Sequence, residues 1–217
     1  MLISHRYQII FVHIQRTGGN SIRQLLNQAD PDVIQQLPLN SGINRFKHCY
    51  ISDIHSAIDE DIFNRYTKFS IVRNPFDRLF SWYSMFKHRT IAKSEIAGGV
   101  ARTVDLGNAV EMAVEPYLES FEQFVSMPNQ GLLQRFYINQ SDYLTINNQI
   151  AVDVILRFEQ LEKDFQLFMQ CLHYDLTLPM VNQSIRDMDY QKAYSIATQQ
   201  LVTHRFHRDL TYFGYQF

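Results

Sequence analysis

The sequence predicts an α/β fold: a central, mainly parallel sheet flanked by helices. Three observations lead there. Ile9-Ile10-Phe11-Val12 is a short apolar run bounded by turn residues, the pattern of a strand buried on both faces. Phe69-Ser70-Ile71-Val72 and Ala151–Phe158 (AVDVILRF) read as further buried strands, and each of the three runs into a helical pattern. The 217 residues, 46% of them hydrophobic, can bury a sizeable core, and no internal repeat or low-complexity linker divides them, so residues 1–217 are expected to form one domain.

The first strand leads into Arg16-Thr17-Gly18-Gly19-Asn20-Ser21, after which Ile22, Leu25 and Leu26 recur at helical spacing. A strand, a glycine-containing turn and a helix N-terminus make an anion site. The glycines let the backbone approach a ligand, the free N–H groups of the first turn point at it, and the helix dipole favours negative charge. Arg16, Thr17 and Ser21 add side-chain donors. Gly18-Gly19 would also fit a plain turn followed by an Asn20 or Ser21 cap; the flanking strand and helix and the clustered donors favour the phosphate loop. It is not a Walker A loop, which requires G-x-x-x-x-G-K-[ST]; here the cation precedes the glycines.

The second informative stretch is FSIVRNPFDRLFSWYSMF, Phe69 to Phe86. Asn74 is a candidate N-cap and Pro75 suits the first helical turn. Leu79, Trp82, Tyr83 and Phe86 fall on one face of the helix that follows, with Arg78 and Ser81 elsewhere. Arg73 stands at the C-terminal end of the strand, the edge where open α/β sheets bind ligands. Arg73 and Ser81 could reach one phosphate. The alternative pairs Arg73 with Asp77 and leaves Ser81 as a helix surface residue.

Together the two stretches resemble the paired nucleotide-binding signatures of the sulfotransferases, and most of all the carbohydrate sulfotransferase group (family 2-like) with a His-Ile-x-Lys-Thr-Gly-Gly-type loop. The similarity continues through KHCYISDI (Lys47–Ile54), ILRFEQLEKDF (Ile155–Phe165) and RFHRDLTYFGYQF (Arg205–Phe217), and is weakest from Thr90 to Pro116. The resemblance implies a P-loop-like, three-layer fold. It implies transfer of a sulfuryl group from 3′-phosphoadenosine 5′-phosphosulfate (PAPS) to a hydroxyl, leaving 3′-phosphoadenosine 5′-phosphate (PAP). By it, Arg16, Thr17, Gly18, Gly19, Asn20 and Ser21 would hold the 5′-phosphosulfate, and Arg73 with Ser81 the 3′-phosphate. No metal is expected. The acceptor would be a carbohydrate or another hydroxyl-bearing molecule.

Arg16 departs from the pattern, because the family usually has Lys there. Arg keeps the charge but spreads it over a planar fork, so the geometry changes; it can still clamp a sulfate or phosphate bidentately. Two other readings therefore stay open: a catalytically idle PAP-binding protein, and a nucleotide or small-molecule kinase of related fold. The kinase reading lacks a Walker lysine and a magnesium ligand.

An in-line displacement of this kind is served by positioning and electrostatics, together with a base for the acceptor hydroxyl. Eight histidines are available. His48, in FKHCY, matches the place of the family's catalytic histidine. His55 is the reserve: seven residues on, it would share nearly the same face of a helix. His13, ending the first strand, reads as a packed, loop-supporting residue. His204 and His207 have metal-like spacing, but no third ligand accompanies them, so no metal site is assigned.

A net charge of −2 gives no global basic field, which argues against nucleic acid and tilts the expected acceptor towards a smaller or less charged molecule. Cys49 and Cys171 have no redox or metal spacing and are expected to be reduced thiols in a cytoplasmic protein. MLISHRYQIIFVHI is too short and too charged an apolar run for a signal peptide, and no stretch approaches the roughly 20 apolar residues of a membrane span; a bacterial-type member is expected. Ser94–Asn108 is the least patterned region, an acceptor lid or a surface loop. Arg157 and Glu159, at the end of the Ala151–Phe158 strand, could contact substrate or pair with neighbours, and pairing is the favoured reading. Asn182, Ser184 and Arg186 could reach a nucleotide. Glu159–Leu172 reads as a helix, and Asp189–Phe206 as one amphipathic helix covering the sheet. The oligomeric state is not legible.

Overall fold

Strand pairing decides the architecture. The computed structural model describes residues 1–37, 47–95, 106–179 and 189–217. In chain order the elements are β1 (Leu2–Ser4), β2 (Ile9–Val12), α1 (Gly19–Ala29), α2 (Ile51–Ala57), α3 (Glu60–Arg65), β3 (Thr67–Val72), α4 (Pro75–Glu95), α5 (Leu106–Val114), α6 (Phe121–Val125), α7 (Gln140–Leu144), β4 (Thr145–Ile146), β5 (Gln149–Ile150), β6 (Val154–Arg157), α8 (Leu161–Cys171), α9 (Ile196–Arg205) and α10 (His207–Phe213). They fall into two compact units. The first comprises Met1–Arg73 and Gln140–Ile185, the second Asn74–Asn139 and Arg186–Phe217.

The first unit holds a sheet of order β1-β2-β3-β6, with β2, β3 and β6 parallel and β1 antiparallel at the edge. The expected mainly parallel sheet flanked by helices is found; β1, too short to show a period, was not anticipated. Register brings Phe11 beside Phe69 and Phe69 beside Val154. These face Ile22, Leu25 and Leu26 of α1 and Phe165, Phe168 and Met169 of α8 in one buried cluster. Phe11 and Phe69 stack at 4.9 Å. Burying a side chain of this size contributes about 1.5–3 kcal/mol, so the face is strongly specified. The small β4–β5 hairpin turns at Asn147 and Asn148, both left-handed (φ 51° and 63°), the turn geometry that asparagine tolerates.

One charge is buried in the sheet. Lys68 Nζ donates to the carbonyls of Phe63 (3.1 Å) and Tyr66 (2.9 Å) and pairs with Asp153 at 3.0 Å. Asp153 also accepts from the Lys68 backbone N–H at 2.7 Å, pinning β6 to β3.

The second unit is helical around an aromatic cluster. Phe76, Leu79, Phe80, Trp82 and Phe86 of α4 pack with Phe121, Phe124, Phe136, Val202 and Phe206. Asn74 caps α4 as expected: its Oδ1 accepts from Phe76 N at 3.1 Å, with Pro75 opening the helix. Unlike a simple amphipathic helix, α4 buries Arg78 and Ser81 too. Arg78 solves its burial by donating Nη1 to the Ile138 carbonyl at 3.2 Å.

Two expectations are corrected. Asp189–Phe206 is not one helix: a 3₁₀ turn at Tyr190–Ala193 ends at extended Tyr194, and Ser195 starts α9 with a reciprocal cap to Thr198. A serine cap overrides a continuing apolar stripe because the free N–H groups need acceptors. The expected strand Ala151–Phe158 shortens to Val154–Arg157, and α8 follows a 3₁₀ turn at Phe158–Gln160. Most of Ser94–Asn108, and Asn182, Ser184 and Arg186, lie outside the described residues. No helix among the described residues is long and apolar enough to cross a membrane.

Candidate active site

The loop after β2 is shaped by left-handed residues. Arg16 has φ 67° and Gly18 φ 85°, and Gly18 precedes the first residue of α1. No side chain caps this helix and its first turn holds no acid, so no side chain offsets the positive end of its dipole. Space is tight at both glycines, most of all at Gly19. A Cβ on Gly19 would meet His13 Nε2 at 2.5 Å and Phe11 Cζ at 2.9 Å. One on Gly18 would meet the Phe158 ring at 3.0 Å. Thr17 is fully buried and donates its hydroxyl to the Ile14 carbonyl at 3.0 Å, so its proton braces the loop. Asn20 is exposed and Ser21 half-buried on the first turn of α1; Ser21 N donates to Gly18 O at 3.1 Å.

Arg73 is brought to this loop. Its guanidinium is buried, donates Nη1 to the Arg16 carbonyl at 2.9 Å, and lies 4.1 Å from the centroid of the Phe158 ring. Its backbone is clamped by Gln140, whose Oε1 accepts from Arg73 N (2.9 Å) and whose Nε2 donates to Arg73 O (2.8 Å). Ser81, the other expected 3′-phosphate ligand, belongs to the second unit, buried on α4.

His48 lies just ahead of α2, half-buried, with Nδ1 2.9 Å from the His13 carbonyl oxygen. A carbonyl only accepts, so Nδ1 carries a proton, and in the neutral form of the ring the lone pair is on Nε2. The His13 ring stacks on Phe11 and meets His48 edge-on at 4.7 Å. Burial first, then the neighbouring His48, pushes the His13 pKa well below the ordinary 6.5, so His13 is a neutral packing residue. His55 is exposed in the last turn of α2, against Phe63 at 4.5 Å. The shared-face argument for His55 fails, because His48 is not on the helix. Cys49 is buried and Cys171 exposed, and neither is in a disulfide. No group of three or more His, Cys, Asp or Glu that could hold a metal occurs among the described residues.

Sequence reasoning missed three contributors. Gln140 carries no sequence signal at all; only the fold brings it to Arg73. Phe158 was read as a strand end, not as the surface under Arg73. Lys47 was visible beside His48, yet its contact was not: Nζ donates to Asn20 Oδ1 at 2.9 Å, and burial, then the Arg23 charge, lowers its pKa.

A sequence profile of the sulfotransferase family matches residues 1–216. The chain therefore belongs to the sulfotransferase family, and by that membership is a PAPS-dependent sulfotransferase. No curated protein matches it. Among solved structures it is similar to mouse sulfotransferase SULT7A1 complexed with PAP, at 11% identity over 96% of this chain and 86% of that one, TM-score 0.48. The family assignment rests on the profile match, not on that likeness.

Proposed function

We propose that this sulfotransferase acts on a carbohydrate hydroxyl, with His48 Nε2 as the general base. The observation that carries the reading is the His48 Nδ1 contact with the His13 carbonyl, which leaves Nε2 as the proton acceptor. In the proposed step, the acceptor O–H gives its proton to Nε2 as its oxygen bonds to sulfur. The bond from sulfur to the bridging phosphate oxygen breaks, and the electron pair leaves on PAP. Arg16, with the N–H groups at the start of α1, neutralises the charge gathering on the bridging oxygen. Thr17, Gly18, Gly19, Asn20 and Ser21 shape the 5′-phosphosulfate loop, and Arg73 with Ser81 holds the 3′-phosphate. Supporting that role, Arg73 is already fastened to the loop at Arg16.

Residues 1–217 act in this reading as one sulfotransferase domain, from a bacterial-type, cytoplasmic protein whose two cysteines stay reduced, neither being in a disulfide. The test is His48→Ala. Turnover falls by about 10²–10⁴-fold, the usual worth of a positioned base, while PAP affinity is kept. A matching loss of PAP affinity would make His48 a structural residue instead.

A further inference from the structure

The ladder between β3 and β6 ends at the pair Val72–Arg157. Arg73 follows at once, so its N–H and C=O lie beyond the last register pair, and both belong to a buried residue. Buried main-chain groups of this kind need partners. Gln140, the first residue of α7 and itself fully buried, supplies both. Arg73 N donates to Gln140 Oε1 at 2.9 Å, and Gln140 Nε2 donates to Arg73 O at 2.8 Å.

That pairing calls for a particular side chain. A carboxamide carries an acceptor and a donor on one neutral, planar group, so Gln140 closes the strand end as the peptide of a further strand would. Its orientation is set as well. An N–H only donates and a carbonyl only accepts, which puts the amide oxygen against Arg73 N and the amide nitrogen against Arg73 O. Packing alone asks for none of this. Methionine would fill similar space, yet offer no N–H donor and only a weak sulfur acceptor.

The same peptide carries the guanidinium that reaches the anion loop. Arg73 Nη1 donates to the Arg16 carbonyl at 2.9 Å, and its guanidinium carbon lies 4.1 Å from the centroid of the Phe158 ring. A long side chain magnifies a small rotation of its own backbone. Arg73 is therefore held at both ends, at its base by Gln140 and at its tip by Arg16 and Phe158.

We propose that Gln140 is a positioning residue for the nucleotide's 3′-phosphate. By fixing the Arg73 peptide, it aims the guanidinium and so sets the preference for a 3′-phosphorylated nucleotide. The proposal rests on the reading of Arg73 as the 3′-phosphate ligand given above.

The test is calorimetry on the full chain with PAP and with adenosine 5′-monophosphate. It compares the wild-type protein, Gln140→Met, Gln140→Asn, Arg73→Ala and the Arg73→Ala/Gln140→Met double variant. Gln140→Asn keeps a neutral amide but sets it a methylene short of the Arg73 peptide. In both single Gln140 variants, PAP affinity falls about tenfold while that for adenosine 5′-monophosphate holds to within about twofold. Binding stoichiometry reports the folded fraction, so a loss of folding lowers the number of sites and leaves the affinity ratio alone. Where Gln140→Met does not fold, Gln140→Asn decides. In the Arg73→Ala background, Gln140→Met brings no further loss of PAP affinity, because no guanidinium remains to be aimed. An unchanged PAP preference in the Gln140 variants, equal losses for the two nucleotides, or a full further loss in the double variant overturns the proposal. A wild-type protein without any PAP preference, or an Arg73→Ala variant that retains it, overturns the Arg73 reading itself, so the two failures are told apart.

Discussion

Arg73 donates Nη1 to the carbonyl oxygen of Arg16 at 2.9 Å, fastening the end of β3 to the loop that follows β2. One side chain thus joins the two stretches that the sequence singles out, with Phe158 beneath it and Gln140 clamping its backbone. Arg73→Ala removes charge-assisted bonding worth about 1.5–3 kcal/mol. PAP affinity is expected to drop accordingly, with little change for adenosine 5′-monophosphate, which lacks the 3′-phosphate. Arg73→Lys restores little, because an ammonium cannot both stack on Phe158 and fork to its partners. Titration of both nucleotides against both variants checks this.

A side chain at Gly19 requires its neighbours to shift. Alanine there would press on His13 Nε2 at 2.5 Å and Phe11 Cζ at 2.9 Å. Overpacking of this kind costs about 1–3 kcal/mol, and the urea midpoint of Gly19→Ala should fall to match. An unchanged midpoint would mean that the His13 ring can move aside.

Buried His13 makes stability depend on pH. Its folded pKa lies well below the ordinary 6.5, so the unfolded chain takes up the extra proton as pH falls below 6.5. Its contribution is fully present above that value and is lost on acidification, until the folded pKa is reached. The slope from this one group approaches about 1.4 kcal/mol per pH unit. His13→Phe should flatten the stability profile between pH 6.5 and lower values, as measured by denaturant unfolding at a series of pH values.

Arg16 sits at φ 67°, a left-handed conformation costing a side-chain-bearing residue roughly 1–2 kcal/mol. Lysine there would have the same backbone, the same charge and a more compact ammonium. Arg16→Lys should therefore keep or raise turnover with PAPS. A collapse in the rate, with PAP affinity preserved, would show that the chemistry uses the planar fork.

The three parallel strands and the glycine turn that opens α1 were legible because they depend on local signals: apolar runs closed by turns, and a glycine pair before a helical pattern. The Asn74 cap and Pro75 were legible for the same reason. What the sequence concealed is tertiary. Gln140 reaches Arg73 only because α7 returns to the end of β3, and no local pattern marks it. The break at Ser195 was hidden by an apolar stripe that continues through it, since periodicity weighs side chains and not the free N–H groups of a new helix.

The measurement that bears most directly on the account is calorimetric titration with PAP, run beside adenosine 5′-monophosphate. Tight PAP binding that weakens by an order of magnitude or more, about 1.4 kcal/mol or greater, when the 3′-phosphate is absent is the predicted result. Equal affinity for the two nucleotides, or no binding of either, would contradict the assignment of the 3′-phosphate to Arg73 and Ser81.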